Sequence, residues 1–485
     1  MRAIIEDFQL AAQANHQHGA ATTKHFTVDD TCQSMNPPAQ TRPLSLPPET
    51  TVVEIPFDGD QLDRKQMAER LTAYLDRLRD GSVLAIDAPW GEGKSWFGRN
   101  WAAMLRNGNH KVAYIDAFEQ DFIEDPFLLI AAEISSLVDA GEKEKWKARA
   151  AGVMKALLPV GTKALINVAG KALMGTSDLT GDFLDAAKAA QGKAADAAEE
   201  WVKKKIEDHE IEKQSLQHFR ETLAAFAAAQ TKPVVVFIDE LDRCRPSFAV
   251  RLVERIKHFF DVPNLVFVLL MNRDQLEKAI RGVYGSDTDA TAYLGKFIHL
   301  SWRLPRDHSL QASHPNHSAL VFVKSVLERY GFDRNTQGSA QEFAPELAAW
   351  VVALQLSLRD VQRACALYVM ANTSWTGLVA YLIALKINRP SLFAKIHAGS
   401  SATHQECQQW LSTLVDQSPD GDKSWPGTYF QALAELHGSL HGEANSTAGR
   451  PIANSHLLFG NRNNLPHGNP FVTCIQRIDL TVQTY

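Results

Sequence analysis

The chain has 485 residues, 45% of them hydrophobic and 22% charged, with a net charge of −6. That is ample apolar material for two or three domains of roughly 100–200 residues each, and the mild acidic balance argues against a protein held to nucleic acid by bulk charge. Cys32, Cys244, Cys365, Cys407 and Cys474 are scattered and form no CxxC pair, which argues against a disulfide framework or a zinc site and for a reducing, cytoplasmic setting.

In chain order, "MRAIIEDFQLAAQ" lacks the long apolar core of a signal peptide. Residues 1–50 are polar, end in a cluster of prolines and read as mostly disordered. "DQLDRKQMAERLTAYLDRLRDG" spaces Leu62, Met67, Leu71, Tyr74, Leu75 and Leu78 as a helix closed by Gly81. "SVLAID" is a short strand, "SWFGRNWAAMLRN" a helix, and "KVAYIDAFEQD" a second strand over Lys111–Asp121. Asp125 and Pro126 open another helix. An Ala-, Lys- and Glu-rich helical region fills about 145–230. Within it "KALLPVGTKALINVAGKALMG" is the most membrane-like stretch, but Lys155, Lys163 and Lys171 interrupt it. A spanning helix needs about 20 mostly apolar residues, so a span is rejected and only a helix lying on a protein or membrane surface stays open.

"KPVVVFIDELDR" (Lys232–Arg243) is the strongest strand, "SFAVRLVERIKHFF" a helix capped by Ser247, "NLVFVLLMNRDQ" another buried strand, and "FIHLSWRLP" (Phe297–Pro305) a last one. Apolar strands alternating with helices predict an α/β fold with a parallel sheet covered on both faces. From 306 to about 395 the pattern is helical only. The tail after 400, rich in Gly, Asn, Ser and His, suggests no fold, and no internal repeat is visible.

The stretch Ala88-Pro89-Trp90-Gly91-Glu92-Gly93-Lys94-Ser95, followed by Trp96, fits the phosphate-loop pattern with Ala88 in place of the first glycine. A strand precedes it and a helix follows. Gly91 and Gly93 let backbone N–H groups turn inward around phosphate oxygens, and the helix points its positive end at the same anion. Lys94 would reach the β- and γ-phosphates and Ser95 would ligate Mg²⁺. The bland alternative is a chance glycine turn. Asp239 and Glu240 weigh against it, because they end a fully apolar strand at the edge where open α/β sheets bind ligands. There Asp239 would hold Mg²⁺ and Glu240 would polarise the attacking water; the alternative is an acidic helix cap. Asn272, with Asp274 at the next strand's end, is either a γ-phosphate sensor or ordinary turn chemistry.

With these motifs in place the chain resembles the KAP family of P-loop NTPases over roughly 60–390. The resemblance is carried by the Trp-Gly inside the phosphate loop, "DAFEQDFIEDPFLLI", "FIDELDRCRP", "YLGKFIHLSWRLP", "SLRDVQRACALY" and "LIALKINRPSLF", in that order. It implies an ASCE-type P-loop domain, with a strand between the phosphate-loop strand and the acidic-pair strand, and ATP with Mg²⁺ as ligands. Lys94, Ser95, Asp239 and Glu240 match the family's nucleotide positions, Asp242 and Arg243 its extended acidic motif. Arg359 resembles the sensor arginine of a helical lid, against the reading of a surface helix residue. The implied division is a P-loop domain over 51–305, a helical lid over 306–399 and an extension over 400–485. Many relatives insert membrane helices where this chain has its Lys-punctuated stretch, which points to a soluble form. Phage exclusion is an association of bacterial members and enters as an implication alone.

His308, His314 and His317 match no standard metal spacing and read as a polar loop. The charge runs "KWKAR" and "WVKKKIEDHEIEK" read as solvated helix faces. One of several arginines near the active edge could serve a neighbouring subunit's ATP. Two functions follow: an ATPase that couples hydrolysis to conformational change or assembly with a partner, and a nucleotide-gated binding or scaffold module with little turnover. Kinase chemistry is the weaker third, since no acceptor-binding signature is visible.

Overall fold

Two uninterrupted apolar runs sit at the centre of the sheet. In the computed structural model, VVVFID and LVFVLLM form strands whose residues are all buried, as central strands of a parallel sheet must be. The residues described are 53–123, 126–138, 214, 217–259, 261–305, 318–331, 339–418, 420–441, 454–460 and 469–481. The expectations for residues 1–50, for Asp125, for the Lys-punctuated stretch and for His308, His314 and His317 lie outside them.

Among the described residues the order is α1 (Arg64–Leu75), β1 (Ser82–Asp87), α2 (Lys94–Asn107), β2 (Val112–Asp116) and α3 (Pro126–Ser136). A helix α4 follows at 217–228, then β3 (Val234–Asp239), α5 (Pro246–Ile256), β4 (Leu265–Met271), α6 (Arg273–Tyr284), α7 (Ala290–Leu294) and β5 (Leu300–Arg303). The strands are parallel in the order β2-β3-β4-β1-β5. β4 thus lies between the phosphate-loop strand β1 and the acidic-pair strand β3, as the resemblance implied. The register sets Asp116 beside Asp239 and Asp87 beside Met271, so the strands' carboxyl ends bring acidic residues to one edge.

The pleat divides the core. Leu84 and Ile86 face α1 and α2 with Phe97, Trp101 and Leu105, while Val83 and Ala85 face the opposite side with Phe127, Phe219 and Phe248. α2 lies so close to β4 that a Cβ on Gly98 would come 2.1 Å from Leu270 Cδ1.

The rest is helical: α8 (Ser318–Arg329), α9 (Ser339–Ala353), α10 (Leu358–Ala371), α11 (Thr376–Asn388), α12 (Pro390–Ala398), α13 (Ser401–Gln417), α14 (Trp425–His441), α15 (His456–Phe459) and α16 (Pro470–Ile478). α11 is apolar around its whole circumference and buries Thr376 through Leu385 without interruption, the pattern of a helix enclosed by others. Leu378, Cys407, Leu433 and Phe471 belong to the same hydrophobic cluster as Val323 and Leu347. The segment after 400 therefore shares one core with the helices before it. Among the described residues no helix is long and apolar enough to cross a membrane.

Three boundaries differ from the sequence reading. α1 ends at Leu75 rather than near Gly81, where the Asp76 carboxylate turns aside to His110 Nε2 at 2.7 Å. β2 stops at Asp116, whose side chain accepts from Glu119 N at 3.0 Å and makes a turn. α5 begins at Pro246, not behind a Ser247 cap; proline's fixed φ suits the first helical position.

Candidate functional site

The turn between β1 and α2 is built on two glycines in the left-handed region, Gly91 at φ 82° and Gly93 at φ 75°. Other residues adopt these angles rarely. The turn folds back over Lys94, whose Nζ donates to Ala88 O at 2.7 Å and Pro89 O at 3.2 Å. Lys94 is buried, and that burial is the main cause pushing its ammonium below the usual lysine range, against the opposing pull of Asp242 and Asp239. Ala88 and Glu92 are buried and Trp90 and Trp96 exposed, with Trp96 edge-on to Phe57 at 5.7 Å.

Asp239 is fully buried at the end of β3. Tyr114 donates to its Oδ2 at 2.8 Å and Glu240 N to its Oδ1 at 2.8 Å, and Ser95 hydrogen-bonds to it as well. Burial still dominates and raises its pKa. Glu240 takes φ 58°, and its carboxylate pairs with Arg243 at 2.8 Å. Next to that pair, Trp90 Nε1 of the phosphate loop donates to Asp242 Oδ2.

The helical part closes the site from above. Ser357 and Asp360 form a reciprocal capping box at the start of α10, and Arg359 N donates to Gly91 O at 3.1 Å. A Cβ on Gly91 would meet Ser357 Oγ at 2.5 Å, so glycine is needed there for space as well as for φ. On the other side Arg64 of α1, 2% exposed, donates to Gly93 O at 3.4 Å. Burial brings the Arg64 pKa down to about 10, against the pull of Glu92 and Asp60.

These elements enclose a cleft of about 620 Å³, within the usual range for small-molecule sites. Trp90, Gly91, Gly93, Lys94, Ser95, Trp96, Asp239, Glu240 and Arg359 line it. Ala88 and Pro89 serve it through carbonyls that hold Lys94. Asn272 does not line it: it caps α6, accepting from Gln275 N at 3.4 Å. The donor set suits a phosphate chain with a hard divalent cation, namely a glycine turn, a desolvated ammonium and a hydroxyl bonded to a buried carboxylate. Sequence reasoning missed Arg64, Tyr114 and the contact of Ser357 with the loop. Only the last left a signal, the Ser-x-x-Asp of a capping box in "SLRD".

The model of the KAP family P-loop domain matches residues 64–364. No curated protein matches the chain. Among solved structures, the Aeropyrum pernix ORC2 protein in ADPNP–ADP complexes is similar at 12% identity over 86% of each chain, with a TM-score of 0.33. The replication initiator DnaA bound to AMPPCP and single-stranded DNA is similar at 8% identity over 89% of each chain, with a TM-score of 0.29.

Proposed function

The chain belongs to the KAP family of P-loop NTPase domains, and from that premise we propose that it binds ATP with Mg²⁺, hydrolyses it, and passes the nucleotide state to its helical part. The observation that carries this reading is the convergence of Lys94, Ser95 and the buried Asp239 in one cleft at the carboxyl edge of the sheet. Backbone N–H groups at Gly91 and Gly93 cradle phosphate oxygens, and Lys94 trades its carbonyl partners for the β- and γ-phosphates. Ser95 and Asp239 hold the Mg²⁺ ion, which when bound neutralises charge on the phosphoryl oxygens. Glu240 orients a water and takes its proton while the water oxygen bonds to the γ-phosphorus and the bond to the β-phosphate oxygen breaks, leaving ADP and phosphate. Arg359, bonded through its backbone to Gly91 O, is the link from loop to lid. Asn272 caps α6 and stands outside the lining of the cleft.

The state so coupled would drive assembly with a protein partner or with further copies of this chain in the cytoplasm, with phage exclusion as the setting suggested by the family resemblance. A second reading is a nucleotide-gated module with little turnover, and the Arg243–Glu240 pair favours it, because the base is engaged in the structure. Single-turnover hydrolysis measured beside equilibrium ATP binding separates the two. Under the first reading Glu240→Gln loses no ATP affinity and slows hydrolysis by about 10²–10⁴-fold. Under the second, parent and variant are equally slow.

A further inference from the structure

The carboxylate assigned as base is occupied. Arg243 Nη1 donates to Glu240 Oε2 at 2.8 Å and lies 2.8 Å from Oε1. Both oxygens face one guanidinium, and a proton taken from water would remove the negative charge that this contact pairs with. The pair is local, three residues apart across the single turn Leu241–Arg243. Arg243 also faces the phosphate site. It lines the cleft with Lys94 and Asp239, and its charge is one of the causes that depress the Lys94 pKa. The turn is tied to the phosphate loop through Trp90 and Asp242 Oδ2, while Asp242 Oδ1 is buried with no hydrogen-bond partner among the described residues.

We propose that Arg243 is a positioning residue that holds Glu240 back until a nucleoside triphosphate binds, then moves its guanidinium to the γ-phosphate and releases the carboxylate to a water. The inference rests on the nucleotide reading above. A terminal phosphate offers more charge and more acceptor oxygens than a carboxylate, and the guanidinium fork fits either. A nucleoside diphosphate lacks that group and leaves the pair closed. The exchange makes hydrolysis conditional on the third phosphate with no second subunit required.

The test is the ratio of ATP to ADP affinity, measured by calorimetry with Mg²⁺ on the full chain. Arg243→Ala should weaken ATP about tenfold and leave ADP unchanged. Glu240→Gln frees the guanidinium and should tighten ATP, not ADP. In the double variant that ATP-selective gain should vanish, which a merely structural arginine would not produce. Arg243→Lys should recover part of the ratio. If Arg243→Ala does not fold, Arg243→Gln keeps the length without the charge and carries the same expectation. An unchanged ratio on loss of Arg243, or an equal gain from Glu240→Gln with and without it, overturns the exchange while the nucleotide reading stands. A parent that binds neither nucleotide overturns both.

Discussion

At the scale of single residues, Lys94 shows how the site is prepared. Its ammonium is buried, and two backbone carbonyls stand where water would solvate it. Phosphate oxygens supply the charge those dipoles lack. Lys94→Ala should therefore cost ATP affinity roughly 1.5–3 kcal/mol, the range for a hydrogen bond to a charged group. The melting temperature should not fall, because the variant also removes a desolvated charge. Calorimetry beside a thermal scan checks both, and unchanged ATP binding would remove the phosphate loop from the account. Lys94 was legible in the sequence because its signal lies within a few consecutive residues. Tyr114 was not: its bond to Asp239 joins residues 125 apart, and only the β2–β3 register brings them together.

At the scale of elements, the decisive contact is the start of α10 against the phosphate loop. Gly91 has φ 82° and gives its carbonyl to Arg359 N, and a Cβ there would sit 2.5 Å from Ser357 Oγ and 3.1 Å from Arg359 Cβ. Gly91→Ala should push α10 off the loop and lower ATP affinity, with the helical core still folded because its packing does not involve the loop. Adding Ser357→Gly removes both Ser357 atoms that the new Cβ would strike, Oγ at 2.5 Å and Cβ at 2.9 Å, and should restore part of the affinity, at a cost of roughly a few tenths of a kcal/mol from the lost cap. Limited proteolysis between β5 and α8, followed beside ATP binding, reports whether α10 has left the loop; a Gly91→Ala protein with parental affinity and cleavage would show that the contact is incidental. Elements themselves were readable from periodicity, since the strands β1 to β5 all appear where the apolar runs predicted them. Their ends were not, because single side chains decide them: Asp76 leaves α1 for His110, and Pro246 starts α5 without a side-chain cap.

At the scale of the whole molecule, a sheet with a core on each face meets a helical assembly with a core of its own. The tail after 400 was unreadable alone because its apolar positions gain meaning only against α11. The helical core also encloses polar groups that composition could not reveal. His437 Nε2 lies 3.0 Å from Tyr381 Oη, and His437 Nδ1 lies 2.8 Å from His404 Nδ1. One consistent arrangement has Tyr381 donating to Nε2, so that His437 carries its proton on Nδ1 and donates to His404. A second proton on His437 would break this order inside an apolar core, and burial, aided by His404, lowers its pKa from 6.5 to about 3. In the unfolded chain the same ring takes its proton near pH 6.5. Between these values the unfolded state binds more protons, so stability rises with pH. The contribution is fully present above pH 6.5 and is lost as the pH falls toward about 3. Glu346 works in the opposite sense: burial raises its pKa well above the usual range, so its contribution is present at low pH and is lost as the pH rises. The parent curve mixes the two, and comparison with His437→Phe isolates the histidine. The variant should be less stable at pH 7.5, because Tyr381 and His404 each lose one hydrogen bond, at about 0.5–1.5 kcal/mol for each. Its stability should nevertheless fall less steeply on acidification. Denaturant unfolding at a series of pH values from 7.5 to 4 measures both slopes, and parallel curves would show that His437 titrates alike in the folded and unfolded chain.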